Sequence, residues 1–224
     1  MLEFHNVKVY DLKESVIACR NAMRLEMPEY TDEEFEESLK RAVKLAKAGG
    51  GSGHSNFRTG IRVSFDMKYT QYITKQFQRY HWFDYVTSSS LMHRITKMDF
   101  DKCCNKYISQ DTVFRMNGLV GLYNDFASID GELSYTFKLR SGEVIEAKTK
   151  ADCLYHQFMR IISECPMGTE LFVRVSTNYE QLATIYKQRK NHKLKEDWGE
   201  FVKFVNSLPY SKELITCEKE VNNE

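Results

Sequence analysis

Residues 61 to 67 read Ile-Arg-Val-Ser-Phe-Asp-Met, apolar and polar in strict alternation, and the spacing turns helical soon afterwards through Tyr72, Ile73 and Phe77. Period two is the signature of a strand with one buried and one wet face, because successive side chains leave a strand on opposite sides. A sheet that is apolar on one face must be covered there, so this run limits the chain to folds that pack other elements against a half-wet sheet.

The flanking pattern supplies helices for that purpose. Asp11 with Glu14 three residues on, followed by Val16, Ile17, Met23 and Leu25, reads as a capped amphipathic helix. Thr31 with Glu34 repeats the device ahead of Phe35, Leu39, Val43 and Leu45, and that helix is expected to stop at the glycines between Ala48 and His54. Helical spacing continues from Tyr69 to Tyr80 and from about Ser109 to Phe126. Two alternating runs joined by Arg140-Ser141-Gly142-Glu143 predict a hairpin. A helix over Ala151 to Ser163, a strand over Glu170 to Ser176, and helices over Tyr179 to Arg189 and about Lys195 to Leu208 complete an α+β order in one domain, 1–224.

Composition removes several function classes. With 32 basic and 31 acidic residues the net charge is +1, so no global field exists to hold nucleic acid, and any anion site must be local. No apolar run approaches a membrane span, and the first residues lack the layout of a signal peptide; a cytoplasmic protein that binds no membrane is expected. The six cysteines form no C-x-x-C pair and read as reduced thiols. The six histidines make no metal-ligand spacing, so no metal is expected. The glycine run has no following Lys-Ser or Lys-Thr and comes after a helix, which argues against a phosphate loop.

Between Lys75 and Arg94, five aromatic rings stand among two histidines and three consecutive serines. One reading is a packing seam of Tyr80, Trp82, Phe83 and Tyr85 between subunits, with the serines capping the next turn. A second reading comes from the C-terminal segment. There a strand, Asn178, a helix ending in Arg189, a short polar turn and a helix bearing Trp198 and ending in Leu208-Pro209 follow one another. This order resembles the tail of the flavin-dependent thymidylate synthases. The signature Q-x-x-R-H-R-x₇-S of that family is similar to Gln76-Phe77-Gln78-Arg79-Tyr80-His81 followed after seven residues by Ser89. Its G-H-x-[ST]-x-x-E-H stretch looks like Gly53 to Gly60. The resemblance covers a core over 53–210, between N-terminal helices over 1–48 and a short tail over 211–224.

The resemblance implies a mixed sheet with flanking helices, bound FAD, and a pyrimidine deoxynucleotide of the dUMP type that receives a one-carbon unit at C5. Methylenetetrahydrofolate and NADPH are the implied co-substrates, and a homotetramer is implied, with sites where subunits meet. By position, Gln76, Arg79, Ser89 and Arg189 would contact the nucleotide, and Arg79 and Arg189 would carry the catalytic role. His54, Arg79, Tyr80, His81 and Asn178 would contact the flavin. Arginine suits the phosphate because its planar fork gives bidentate bonds.

Several positions depart from the pattern. Tyr80 and His81 replace the signature's histidine and second arginine, and Leu91 stands where an arginine follows the serine. Gly60 occupies the place of a histidine, Glu180 that of an arginine, and the turn after Arg189 reads Lys190-Asn191-His192-Lys193. Three fixed cations are lost and one anion gained, so weak thymidylate synthesis is expected. Lys187, Lys190 and Lys193 around Arg189 suggest one local basic face. The alternative function is a non-catalytic nucleotide-binding or sequestering protein on the same fold; a third is a structural oligomer without a small ligand.

Overall fold

The computed structural model describes residues 1–48 and 53–217. In chain order the elements are β1 (Glu3–Tyr10), α1 (Leu12–Ala18), α2 (Asp32–Lys47), α3 (Phe57–Gly60), β2 (Arg62–Thr70), α4 (Gln71–Phe77) and β3 (Asp84–Ser88). There follow α5 (Leu91–Arg94), α6 (Phe100–Cys103), α7 (Gln110–Ser128), β4 (Tyr135–Lys138), β5 (Val144–Ala147) and α8 (Lys150–Glu164). The chain closes with β6 (Glu170–Asn178), α9 (Tyr179–Arg189), α10 (Lys195–Asn206) and a π-helical turn, Lys212–Thr216. The fold is α+β, as expected. Two compact units are built from these elements: Met1–Tyr69 with Ile73–Ser88 and the chain from Phe172 onwards, and Thr70–Tyr72 with Ser89–Leu171.

The first unit is a four-stranded sheet in the order β1-β2-β6-β3, with β1 antiparallel to β2 and β3 antiparallel to β6. Side-chain bonds from Arg62 to Ser176 and from Arg174 to Asp66 show β6 running opposite to β2 as well. Its dry face carries Val63, Phe65, Met67, Val173 and Val175, all buried. Rings cover that face: Phe77 stacks on Phe83 at 4.7 Å, Phe4 on Phe204 at 4.2 Å, and Trp198 lies 4.9 Å from Phe77. α10 contributes Trp198, Phe201, Phe204 and Val205, a spacing that puts all four on one side of the helix. Truncating one of these buried rings to alanine costs about 3–5 kcal/mol by lost transfer and cavity formation.

The region 1–48 is not wholly helical. β1 forms its first strand, and its alternation is broken by a bulge between His5 and Lys8, with Asn6 at φ 49. Asp11 takes a left-handed conformation, φ 56, and makes no side-chain cap. α1 ends at Ala18, and Met23 and Leu25 point into solvent while Arg20 and Arg24 tie the following chain to Glu34. Thr31 does cap α2, its hydroxyl accepting from Glu34 N at 3.2 Å. The buried face of α2 is Phe35, Ser38, Ala42 and Ala46, with Leu39, Val43 and Leu45 half-buried beside it. Of the glycines expected to end α2, Gly49, Gly50 and Gly51 lie outside the described residues and Gly53 has φ 74; the helix ends at Lys47.

The second unit packs α7 and α8 around Ile95, Met98, Phe100, Val113, Met116, Leu119, Val120 and Ile161. Ser90, Ser109 and Thr149 cap α5, α7 and α8 through their hydroxyls. The predicted hairpin is β4–β5, closed by Leu139 N to Glu143 O at 2.9 Å, with Gly142 at φ 89 where a side chain would be strained. Its inner residues Phe137 and Ala147 pack on Phe126 and Cys153.

Candidate functional site

The candidate site lies in the first unit, where the end of α9 meets the chain leaving α4. Asn178 starts α9: its side-chain oxygen accepts from Gln181 N at 2.9 Å, and the residue is 2% exposed. Gln181, Leu182, Ile185 and Tyr186 form the buried stripe of the helix, and Arg189 continues that stripe one turn on, which leaves it half-buried. At about 100° per residue, Lys187 falls on the far side of the helix, while Lys190 lies one residue round from Arg189 with its Nζ 5.7 Å from the Tyr186 ring centroid.

Aromatic groups grip Arg189 from two sides. Its Nε donates to the Tyr80 hydroxyl at 2.8 Å, and its guanidinium carbon lies 5.7 Å from the Tyr80 ring and 4.9 Å from the Trp198 ring. The Tyr80 hydroxyl in turn donates to Gln188 Oε1 at 3.0 Å, and Trp198 Nε1 donates to Gln76 Oε1 at 3.2 Å. Gln76, Tyr80 and Arg189, 113 positions apart at the extremes by sequence number, thus share one cluster built around Trp198. Cation–π contact of this kind contributes about 0.5–2 kcal/mol, more as the cation loses water. Among the described residues, the terminal nitrogens of Arg189 make no hydrogen bond and the side chain has no ion pair.

The turn after α9 keeps the cluster in place without adding charge. His192 Nδ1 accepts from Leu194 N at 3.1 Å, and its ring meets Trp198 edge-on at 5.9 Å. Burial, then Arg189 and Lys193, hold the His192 pKa below its ordinary value, so the ring is neutral at pH 7. The chain at Trp82 is fastened to α9 and β6: its N–H donates to Gln181 Oε1 at 3.3 Å and its carbonyl accepts from Thr177 Oγ1 at 2.6 Å. Arg79 and His81 flank Tyr80 and are exposed, and the Trp82 side chain is 62% exposed. Phe83 instead sits in the sheet's own core, and Tyr85 packs edge-on to Tyr69, so only part of the proposed aromatic seam faces outward.

The Gly53 to Gly60 stretch places its residues differently from one another. His54 is exposed, whereas Arg58 is 4% exposed. Arg58 Nε and Nη2 both contact Glu180 Oε2, at 2.6 and 2.5 Å, and Nη1 donates to Leu214 O at 3.1 Å. The anion expected from Glu180 is therefore neutralised within the fold. At Gly60 an added Cβ would lie 2.4 Å from Ser15 Oγ and 3.3 Å from Ser15 Cβ, so a side chain there requires Ser15 on α1 to shift. Arg62 reaches Ser176 and Arg160 pairs with Glu164. Ser89 and Leu91 belong to the second unit.

Spacing alone did not reveal Trp198 and Arg58 as parts of this region. Trp198 reads as an ordinary core residue of α10, and Arg58 stands in a stretch with no helical or strand period. The thiols are not activated: burial first, then Cys104 and Cys165, pushes Cys103 up to about 12, and burial raises Cys104 as well.

No sequence-family model and no curated protein sequence matches the chain. Among solved structures it is similar to the flavin-dependent thymidylate synthase ThyX of Helicobacter pylori complexed with FAD and dUMP. The TM-score is 0.60 and the identity 13%, over 96% of this chain and 98% of that one. The chain has the flavin-dependent thymidylate synthase fold. A second ThyX structure from that organism, also with FAD and dUMP, agrees at TM-score 0.60 and 13% identity, over 97% and 98% of the two chains. The UMP/dUMP methylase PolB of Streptomyces cacaoi, bound with 5-Br dUMP, is similar at TM-score 0.54 and 10% identity, over 95% and 91%. At these identities the likeness is one of fold. No described helix is long and apolar enough to cross a membrane.

Proposed function

We propose that this chain binds FAD and a pyrimidine deoxynucleotide of the dUMP type, and transfers a one-carbon unit to pyrimidine C5. The observation that supports this most is Arg189: a half-buried cation held by Tyr80 and Trp198, with its terminal fork making no hydrogen bond among the described residues. Such a cation is pre-set for a ligand, since the surrounding contacts fix its direction while leaving its donors for use. Arg189 would polarise the pyrimidine, and Arg79 would take the phosphate. Gln76 would act in support by holding Trp198.

The exposed His54, Arg79 and His81, together with the Trp82 ring, fit a flavin that draws on polar edges and a stacking surface. Tyr80 and Asn178 fit less directly, because their oxygens already serve Arg189 and α9. When bound, the flavin would supply reducing equivalents, replenished by NADPH, with methylenetetrahydrofolate as carbon donor. The proposal includes a single family-like domain, a homotetrameric assembly and a cytoplasmic setting. A sequestering protein on the same fold is the second reading, favoured by the commitment of the Asn178 oxygen to the helix cap and by the absence of fixed cations at His81 and Leu91.

The visible spectrum of the purified protein tests the flavin part. Bound oxidised flavin gives a yellow protein, and excess FAD raises its thermal midpoint by mass action. A colourless protein whose midpoint does not move with FAD would remove the flavin part and leave the sequestering reading.

A further inference from the structure

The amide of Gln76 has two ends of similar size and opposite chemistry, an acceptor oxygen and a nitrogen with two donors. Trp198 decides which end faces where. Its indole Nε1 can only donate, so the atom it meets at 3.2 Å is Gln76 Oε1. The indole is itself fixed: Trp198 is 1% exposed, and its ring lies 4.9 Å from Phe77 and edge-on to Phe201 at 5.5 Å. Gln76 Nε2 is thereby directed away from the indole, and it makes no hydrogen bond among the described residues. The turn runs on past α4, with Gln78 N bonded to Thr74 O and Tyr80 N to Phe77 O, which makes the exposed Arg79 a neighbour of Gln76 three positions on.

We propose that Trp198 is a positioning residue for the nucleotide: it holds the Gln76 amide so that Nε2, beside Arg79, donates to the phosphate. This rests on the nucleotide reading above. A phosphate carries acceptors only, and hydrogen bonds to it are charge-assisted. An amide free to turn would offer that anion its oxygen as readily as its donors, and would lose the freedom on binding. The buried indole settles the orientation before the ligand arrives, which removes that cost. The resemblance gives Gln76 a nucleotide contact by position; the sense of the contact is set here by a residue 122 positions away.

Calorimetric titration of the FAD-loaded protein with dUMP at pH 7 tests this in the parent, Trp198→Phe, Gln76→Ala, the two combined, and Gln76→Glu. Gln76→Ala is expected to weaken binding about tenfold or more, and Trp198→Phe about two- to tenfold as the amide is set free. Trp198→Phe also alters the contact with Arg189, in either background, so the part that passes through Gln76 is the difference: Trp198→Phe costs less in Gln76→Ala than in the parent. Gln76→Glu keeps an acceptor for the indole and sets an anion against the phosphate, so it binds dUMP more weakly than Gln76→Ala does. That comparison leaves Trp198 in place and stands even where Trp198→Phe does not fold. An equal cost of Trp198→Phe in both backgrounds overturns the positioning role, and Gln76→Glu binding as tightly as Gln76→Ala overturns donation to the phosphate. Loss of flavin absorbance from Gln76→Ala with dUMP affinity unchanged would give the donors to the cofactor and overturn their assignment to the nucleotide. Failure of the parent to bind dUMP overturns the nucleotide reading itself, and this inference with it.

Discussion

Arg58 and Glu180 stand 122 positions apart and form an ion pair in which two guanidinium nitrogens share one carboxylate oxygen, with Arg58 almost wholly buried. The pair binds α3 to the start of α9, and its third bond, to Leu214 O, brings in the C-terminal turn. Removing one partner of a buried pair leaves a charge without compensation. Arg58→Ala is expected to lower stability by about 3 kcal/mol, at the low end of the range because Glu180 keeps some solvent. Replacing both residues with apolar ones of similar size should recover much of that loss. Urea denaturation of the single and double variants measures it; an Arg58→Ala midpoint equal to the parent's would show that the pair does not hold these elements.

Gly60 gives a test of how far the fold has closed around its departures from the family pattern. Placing a histidine there brings a Cβ against Ser15. Overpacking of this kind costs about 1–3 kcal/mol. Gly60→His should therefore unfold at lower denaturant than the parent, and Ser15→Gly in the same chain should return part of the difference. A variant as stable as the parent would mean that α1 yields without cost.

The thiols should behave as packing groups. Burial holds Cys103 protonated to about 12, against an ordinary value of 9.0, so its thiol form favours the folded state at neutral pH. That contribution is complete below about pH 9 and is lost as pH rises towards 12, since only the unfolded chain then ionises freely. Native protein at pH 8 is expected to react with a thiol reagent at Cys103 and Cys104 far more slowly than unfolded protein does. Rapid native labelling of either, followed by peptide mass analysis, would contradict this.

Much of the fold was legible because it obeys simple periods. β2, α7, α8, the β4–β5 hairpin and α9 follow the alternations and caps in their own residues. β1 and β3 were not, and for one physical reason: each carries a bulge, between His5 and Lys8 and between Tyr85 and Thr87, which shifts the faces halfway along the strand. Gln76, Tyr80 and Arg189 were legible only through resemblance. Their convergence on Trp198, and the pairing of Arg58 with Glu180, depend on contacts across more than a hundred residues, which no local spacing encodes.

Charge argues for slow chemistry. Arg58 is consumed by Glu180, and His81 and Leu91 provide no fixed cation. Loss of one preorganised donor at a developing negative charge costs roughly a hundredfold or more in rate. Incubation with FAD, NADPH, methylenetetrahydrofolate and dUMP is therefore expected to yield dTMP at least about a hundredfold more slowly than an ordinary flavin-dependent thymidylate synthase. Comparable turnover would show that other groups replace the missing cations.

Calorimetry on Arg189→Ala addresses the proposed site most directly. Arg189 is set against two rings with its terminal nitrogens making no hydrogen bond among the described residues, and losing a charge-assisted contact from it costs about 1.5–3 kcal/mol of binding. Titration with dUMP and dCMP is expected to show binding by the parent and roughly a tenfold to hundredfold weakening in Arg189→Ala, with the thermal midpoint lowered by the loss of the Tyr80 and Trp198 contacts. An Arg189→Ala protein that binds both nucleotides as tightly as the parent, or a parent that binds neither, would contradict it.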